Sequence, residues 1–215
     1  VAVSAWLYFR SSRTRWARQE ALPEIERAID ATPWTGGVGM WQAFDLGTQA
    51  ARYLPDDPVL QGLRKRYSIP MTLHTDPPGA RVYARPYAAA DTAWTLVGET
   101  PIDTLRFVRG VFRIKIEKNG YAPTYDLFWN GFYDMDGRTY ELKRPDQIPR
   151  GMVWVSGTTP RFQSGGPTQG VHLPGFEHLA PQELGGFFVD RDEVTNHAYK
   201  TFVDAGGYGD PSFWK

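Results

Sequence analysis

The sequence predicts an α+β chain assembled from several parts, and shifts in its hydrophobic period are the reason. Across residues 10–70 apolar side chains recur at three- and four-residue steps, as on one face of a helix. Across residues 71–146 they alternate, as on one face of a strand. From residue 147 the chain turns loop-rich, with two short strand patterns and one amphipathic helix. The 22 glycines and 17 prolines exceed average usage and crowd into the C-terminal half, which predicts turns and short strands there.

With 215 residues, 41% apolar and 22% charged, the chain has a folded protein's composition and room for one large domain or a few small ones. Its 24 Lys+Arg balance 24 Asp+Glu, so no global basic field exists, which argues against sequence-independent binding of nucleic acid. The absence of cysteine excludes disulfides, thiolate nucleophiles and cysteine-bound zinc within these residues.

Residues 1–9, Val1 through Trp6, Leu7, Tyr8 and Phe9, are apolar, and Arg10, Arg13, Arg15 and Arg18 follow without an intervening acid. A transmembrane helix needs about 20 apolar residues. Residues 1–9 are therefore expected to be the end of a span that begins upstream, with Trp6 and Tyr8 at the interface and the arginines at the headgroups. The alternative is the start of a buried helix. A signal peptide fits less well, because its positive charge precedes the apolar run. The expectation is a membrane-anchored protein; the arginines favour a cytoplasmic side, and the unseen flank leaves the orientation open.

In the helical segment, residues 10–70, Leu22, Ile25 and Ile29 mark one apolar face, and Phe44, Ala51 and Leu54 mark another. Pro23 either kinks the first helix or opens a second, since it lacks an N–H and suits a first turn. A glycine-rich break at residues 35–39 separates this helix from a second over residues 41–53, and residues 59–66 form a third. The set resembles a tetratricopeptide-like helical hairpin or a plain helical spacer. Arg64, Lys65 and Arg66 read as a solvated helix end, where cations suit the dipole.

From Met71 the period becomes two. Met71, Leu73 and Thr75 form one strand, the run Asp76-Pro77-Pro78-Gly79 turns the chain, and Ala80 to Tyr83 is expected to pair back on it. Residues 111–117 alternate apolar with charged, and Asn119-Gly120 supplies a turn. Strands at this spacing predict a small β-sandwich. Residues 78–83, the Gly98-Glu99-Thr100-Pro101 turn and the stretch from Gly110 to Gly120-Tyr121 resemble the PEGA domain, a small β-sandwich found beside bacterial signalling and envelope modules. Where that family has Glu before the glycine, this chain has Pro78. The resemblance implies binding or spacing rather than catalysis.

In residues 147–215, the segments 151–157 and 187–190 read as strands and residues 194–205 as a helix with Tyr199, Phe202 and Val203 on one face. Thr195 or Asn196 is its expected N-cap and Gly206-Gly207 its end. The strand Gly151-Met152-Val153-Trp154-Val155, then Val189-Asp190-Arg191 with Glu193-Val194-Thr195-Asn196, then Tyr199, Phe202-Val203 and Gly206-Gly207-Tyr208, resemble the opening of a formylglycine-generating enzyme (sulfatase-modifying factor) domain. That resemblance implies a C-type-lectin-like α+β fold, here truncated. The order of apolar span, helices, PEGA-like sandwich and sulfatase-modifying-like domain also resembles the C-terminal part of bacterial membrane Ser/Thr protein kinases. No glycine-rich phosphate loop, His-Arg-Asp or Asp-Phe-Gly occurs in the chain, so phosphoryl transfer is not argued from these residues.

The family resemblance implies, for a complete formylglycine-generating domain, copper held by two thiolates, soft ligands for Cu(I), with calcium as a further cofactor. No residue here maps to that pair, so no catalytic, cofactor-binding or metal-ligating residue is assigned. Asp190, Glu193, Thr195 and Asn196 read as structural, serving the helix start and its positive end. Asp190, Asp192 and Glu193 invite calcium, but Thr195 stands where an EF-hand loop needs glycine. His74, His172, His178 and His197 lack zinc spacing. Residues 36–39 and 164–167 lack the Lys-Ser/Thr ending of a phosphate loop and read as turns. The aromatics of residues 129–133 read as sandwich packing rather than a base-stacking platform. The functional expectation is a sensing or binding region of a membrane-tethered Ser/Thr kinase with an unidentified ligand or protein partner, the alternative being a formylglycine-generating oxidoreductase acting on sulfatase cysteine, with its catalytic part beyond residue 215.

Overall fold

A computed structural model describes residues 10–32, 37–130, 138–162 and 182–214. The apolar run 1–9, on which the membrane anchor was expected, lies outside the described residues. Within them, no helix is long and apolar enough to cross a membrane.

Residues 10–16 are helical and continue through a π-helical turn, Ala17–Ala21, into α1 (Leu22–Asp30). Pro23 follows the π-helical turn in a run that is helical without a break from residue 10, so it interrupts the regular α-helix and does not start a separate one. The wider turn ahead of it accommodates the hydrogen bond that proline's missing N–H removes. Leu22, Ile25, Ala28 and Ile29 form the buried stripe of α1. It packs against α2 (Val38–Ala51), followed by α3 (Pro58–Tyr67). Asp57 caps α3, its carboxylate accepting from the backbone N–H of Val59 at 3.0 Å and of Leu60 at 3.2 Å. Arg64, Lys65 and Arg66 occupy the last turn of α3, and Arg66 pairs with Glu26 and Asp30 of α1.

The chain passes from α3 straight into β1 (Ser68–Asp76), without a linker where the helical and strand periods meet. Aromatic edges then join the two layers. Trp41 and Phe44 of α2 lie 5.4 and 5.2 Å from the ring of Phe107, and Phe107 lies 5.1 Å from Phe112. The helices and sheets share one continuous apolar core.

Seven of the strands form two sheets. One has the order β4-β1-β7, with β4 (Ile102–Val108) antiparallel and β7 (Arg138–Glu141) parallel to β1. The other has the order β3-β2-β5-β6, from β2 (Arg81–Pro86), β3 (Thr95–Glu99), β5 (Gly110–Glu117) and β6 (Thr124–Asn130). Here one expectation is corrected: β1 and β2 do not pair, but lie in different sheets. Pro77 and Pro78 offer no N–H to a hairpin ladder, and Gly79, at φ +80°, donates its N–H to Thr100 at 2.9 Å instead. The corner thus carries the chain from one sheet to the other. The turn at Asn119-Gly120 is as expected, with Gly120 at φ +83° between the antiparallel strands β5 and β6.

Beyond the sandwich, β8 (Met152–Val155) pairs antiparallel with β11 (Phe187–Asp190), and β9 (Thr158–Phe162) pairs with β10 (Gln182–Leu184). Helix α4 (Asn196–Asp204) starts at Thr195, whose hydroxyl accepts from the Ala198 N–H at 3.1 Å, and stops at Gly206, at φ +74°. The cap is Thr195 rather than Asn196. The Trp154 indole N–H donates to the Glu141 carbonyl at 2.9 Å, and the Glu141 N–H donates to the buried Ser156 hydroxyl at 3.0 Å, which ties β8 to the sandwich.

Candidate ligand groove on the four-stranded sheet

Alternation along β2 and β5 divides their side chains between two faces. Val82, Ala84, Phe112, Ile114 and Ile116 are buried inward. Tyr83, Arg85, Arg113 and Lys115 therefore share the outward face. The register sets these residues in two rows across the sheet. Tyr83 opposes Lys115, which opposes Tyr125; Arg85 opposes Arg113, which opposes Leu127. The segment between β2 and β3 adds Tyr87, Asp91 and Trp94 at one side. With Arg85, Arg113, Lys115, Tyr125, Asp126 and Leu127 they line an open groove of about 810 Å³.

The electrostatics of the groove are unusual for a sheet surface. Arg85 and Arg113 face each other directly, and like charges in that relation destabilise a strand pair. Arg85 is only 5% exposed. Its two terminal nitrogens donate to the Ala89 carbonyl and to Asp91, while its Nε–H is buried without a partner. Its guanidinium lies 5.1 Å from the Trp94 ring centre. Lys115 lies 4.8 Å from the Tyr83 ring and 5.3 Å from that of Trp94, and pairs with Glu117 at 2.9 Å. Arg113 stacks 5.0 Å from the Tyr87 ring and is exposed. Each cation–π contact is worth about 0.5–1 kcal/mol when exposed and about 2 when desolvated. The aromatic rings hold the three cations in place; Asp91 engages Arg85, Glu117 engages Lys115, and the Asp126 carboxylate also lines the groove, so Arg113 is the cation there without an ion pair among the described residues.

Sequence reasoning assigned no residue to this site, although two signals for it were present. The charged positions of residues 111–117 read as a wet face, and Trp94 is a large aromatic beside the alanine-rich residues 88–93. What the sequence lacks is the pairing of β2 with β5, which sets Arg85 opposite Arg113.

The residues considered for other chemistry are scattered. His74 Nε2 lies 2.5 Å from Asp103 Oδ1, and His197 is exposed on α4. His172, His178 and residues 164–167 lie outside the described residues, as do residues 131–133 of the aromatic cluster. Asp190, Asp192 and Glu193 are exposed around the end of β11, and no group of three or more His, Asp or Glu able to hold a metal occurs among the described residues. The chain has no cysteine, so none of these 215 residues supplies the two thiolates that the family's copper site uses. Of the glycines at residues 36–39, Gly39 is a packing residue, because a Cβ there would lie 2.1 Å from Thr32 Oγ1 and 2.7 Å from the Ala28 carbonyl oxygen.

Comparison with known proteins found no matching family model, no matching curated protein and no matching solved structure.

Proposed function

We propose that this chain is a sensing or binding region of a membrane-tethered bacterial protein, with the PEGA-like sandwich as the ligand-binding module and a Ser/Thr protein kinase as the parent protein. The observation that carries the binding reading is the buried, incompletely hydrogen-bonded Arg85 set opposite Arg113 in an open groove. A fold seeking stability alone would favour an acid opposite Arg85, whereas a site for an anionic ligand tolerates the repulsion. The tether rests on the apolar residues 1–9 and the arginines behind them, and the kinase on the order of the resembling segments. The second reading, formylglycine generation, rests on the motif in residues 151–208, with β8 and β11 paired and α4 capped by Thr195. Its catalytic part, with the thiolate pair, would lie beyond residue 215.

The gene upstream of Val1 tests the tether and the kinase. The reading expects a continuous apolar span preceded by kinase motifs, and a cell fractionation that finds the protein in membranes. An upstream sequence with neither feature overturns it. Copper-dependent oxidation of a cysteine-containing peptide by the full-length gene product would favour the second reading.

A further inference from the structure

We propose that the groove takes an acidic saccharide, with a uronate carboxylate seated on Arg113 and sugar rings lying on the exposed aromatic faces beside it. This deepens the binding reading and rests on it. The charge comes first: Asp91 and Glu117 are already engaged by Arg85 and Lys115. Arg113 has no ion pair among the described residues, and its planar fork suits a bidentate carboxylate. Size comes second. At about 810 Å³ the groove lies in the range of small-molecule sites, about 300–1,000 Å³, and is too large for a lone inorganic anion.

The third argument is the mixture of surfaces. Tyr87 is 52% exposed, Tyr125 64% and Leu127 47%, so apolar faces flank the cationic centre on both sides. An acidic sugar has the matching pattern, with C–H faces for the rings and a carboxylate for the guanidinium. A divalent cation would meet the unpaired Arg113 there, and no group of three or more carboxylates or imidazoles able to hold it occurs among the described residues. The chain carries no net charge to attract a nucleic-acid strand.

The test titrates the 215-residue chain by calorimetry with tetramers of galacturonate, glucuronate and mannuronate. The controls are their neutral methyl esters, inorganic phosphate and an oligothymidylate. At least one uronate tetramer should bind, with affinity about tenfold above its ester, the loss expected for one charge-assisted contact. Arg113→Gln should lower that affinity by about tenfold and Tyr125→Ala should weaken it, while Lys118→Gln, outside the groove, should leave it unchanged. Both groove positions are exposed, and an unchanged far-UV spectrum and urea midpoint would establish that the variants fold.

Failure of all three tetramers to bind, equal binding of an ester, or an Arg113→Gln affinity equal to the parent would overturn the proposal. So would phosphate or oligothymidylate binding as tightly as the best uronate. None of these results bears on the upstream span or kinase motifs, so the failure of this inference is distinguishable from failure of the tethered-kinase reading.

Discussion

Two residues that touch show how narrowly the helical layer is specified. Tyr67, 3% exposed at the end of α3, lies over Gly47 of α2. A Cβ at Gly47 would sit 2.1 Å from the Tyr67 hydroxyl oxygen and 2.5 Å from its ring carbon Cζ, so the glycine is there for close approach. Gly47→Ala is expected to destabilise the chain by about 1–3 kcal/mol, read as a lower urea midpoint with an unchanged slope. Burial also pushes the Tyr67 phenol above its ordinary value of 10.0, with Arg64 and Arg106 pulling it partly back. Since the folded state holds that proton more tightly than the unfolded chain, stability from this group is complete below about pH 10 and is lost as pH rises beyond it. Urea midpoints between pH 8 and 11 should fall for the parent and fall less for Tyr67→Phe. Equal slopes would remove Tyr67 as the cause.

Among the elements, α3 has a single well-defined start. Asp57 accepts two backbone N–H groups, and Arg18 lies 3.6 Å from its other oxygen. Asp57→Ala should cost about 0.5–2 kcal/mol, visible in a thermal or urea transition, and Asp57→Asn should recover most of the loss. The helix boundaries were legible in the sequence because Pro58, Asp57 and the 64–66 basic turn act locally. The strand pairing was legible only in part. The β5–β6 hairpin follows from Asn119-Gly120, whereas the separation of β1 from β2 depends on Gly79 bonding to Thr100, a contact between residues distant in sequence. The groove was illegible for the same reason: its residues share a face, but only the cross-strand register brings Arg85, Arg113 and Lys115 together.

Across the whole molecule, burial is uneven. The helices and sandwich hold the continuous core, while residues 185–205 are almost all exposed, including Phe187 at 48%, Tyr199 at 49% and Val203 at 41%. The amphipathic face of α4 is readable from its period, but among the described residues only Phe202 is half-buried, against Gly207, Tyr208 and Phe213, while Tyr199 and Val203 stay exposed. Residues 147–215 expressed alone should therefore lack a cooperative thermal transition, and the helix-and-sandwich portion should retain one. A sharp transition in the isolated C-terminal piece would contradict the uneven distribution of core.

The most direct measurement of the central claim is amide chemical-shift mapping of the chain during titration with the best-binding uronate tetramer. A ligand groove on the four-stranded sheet predicts shifts concentrated at Arg85, Tyr87, Trp94, Arg113, Lys115 and Tyr125. Shifts clustered on residues 10–30 or 185–214, or no shifts at saturating ligand, would contradict it.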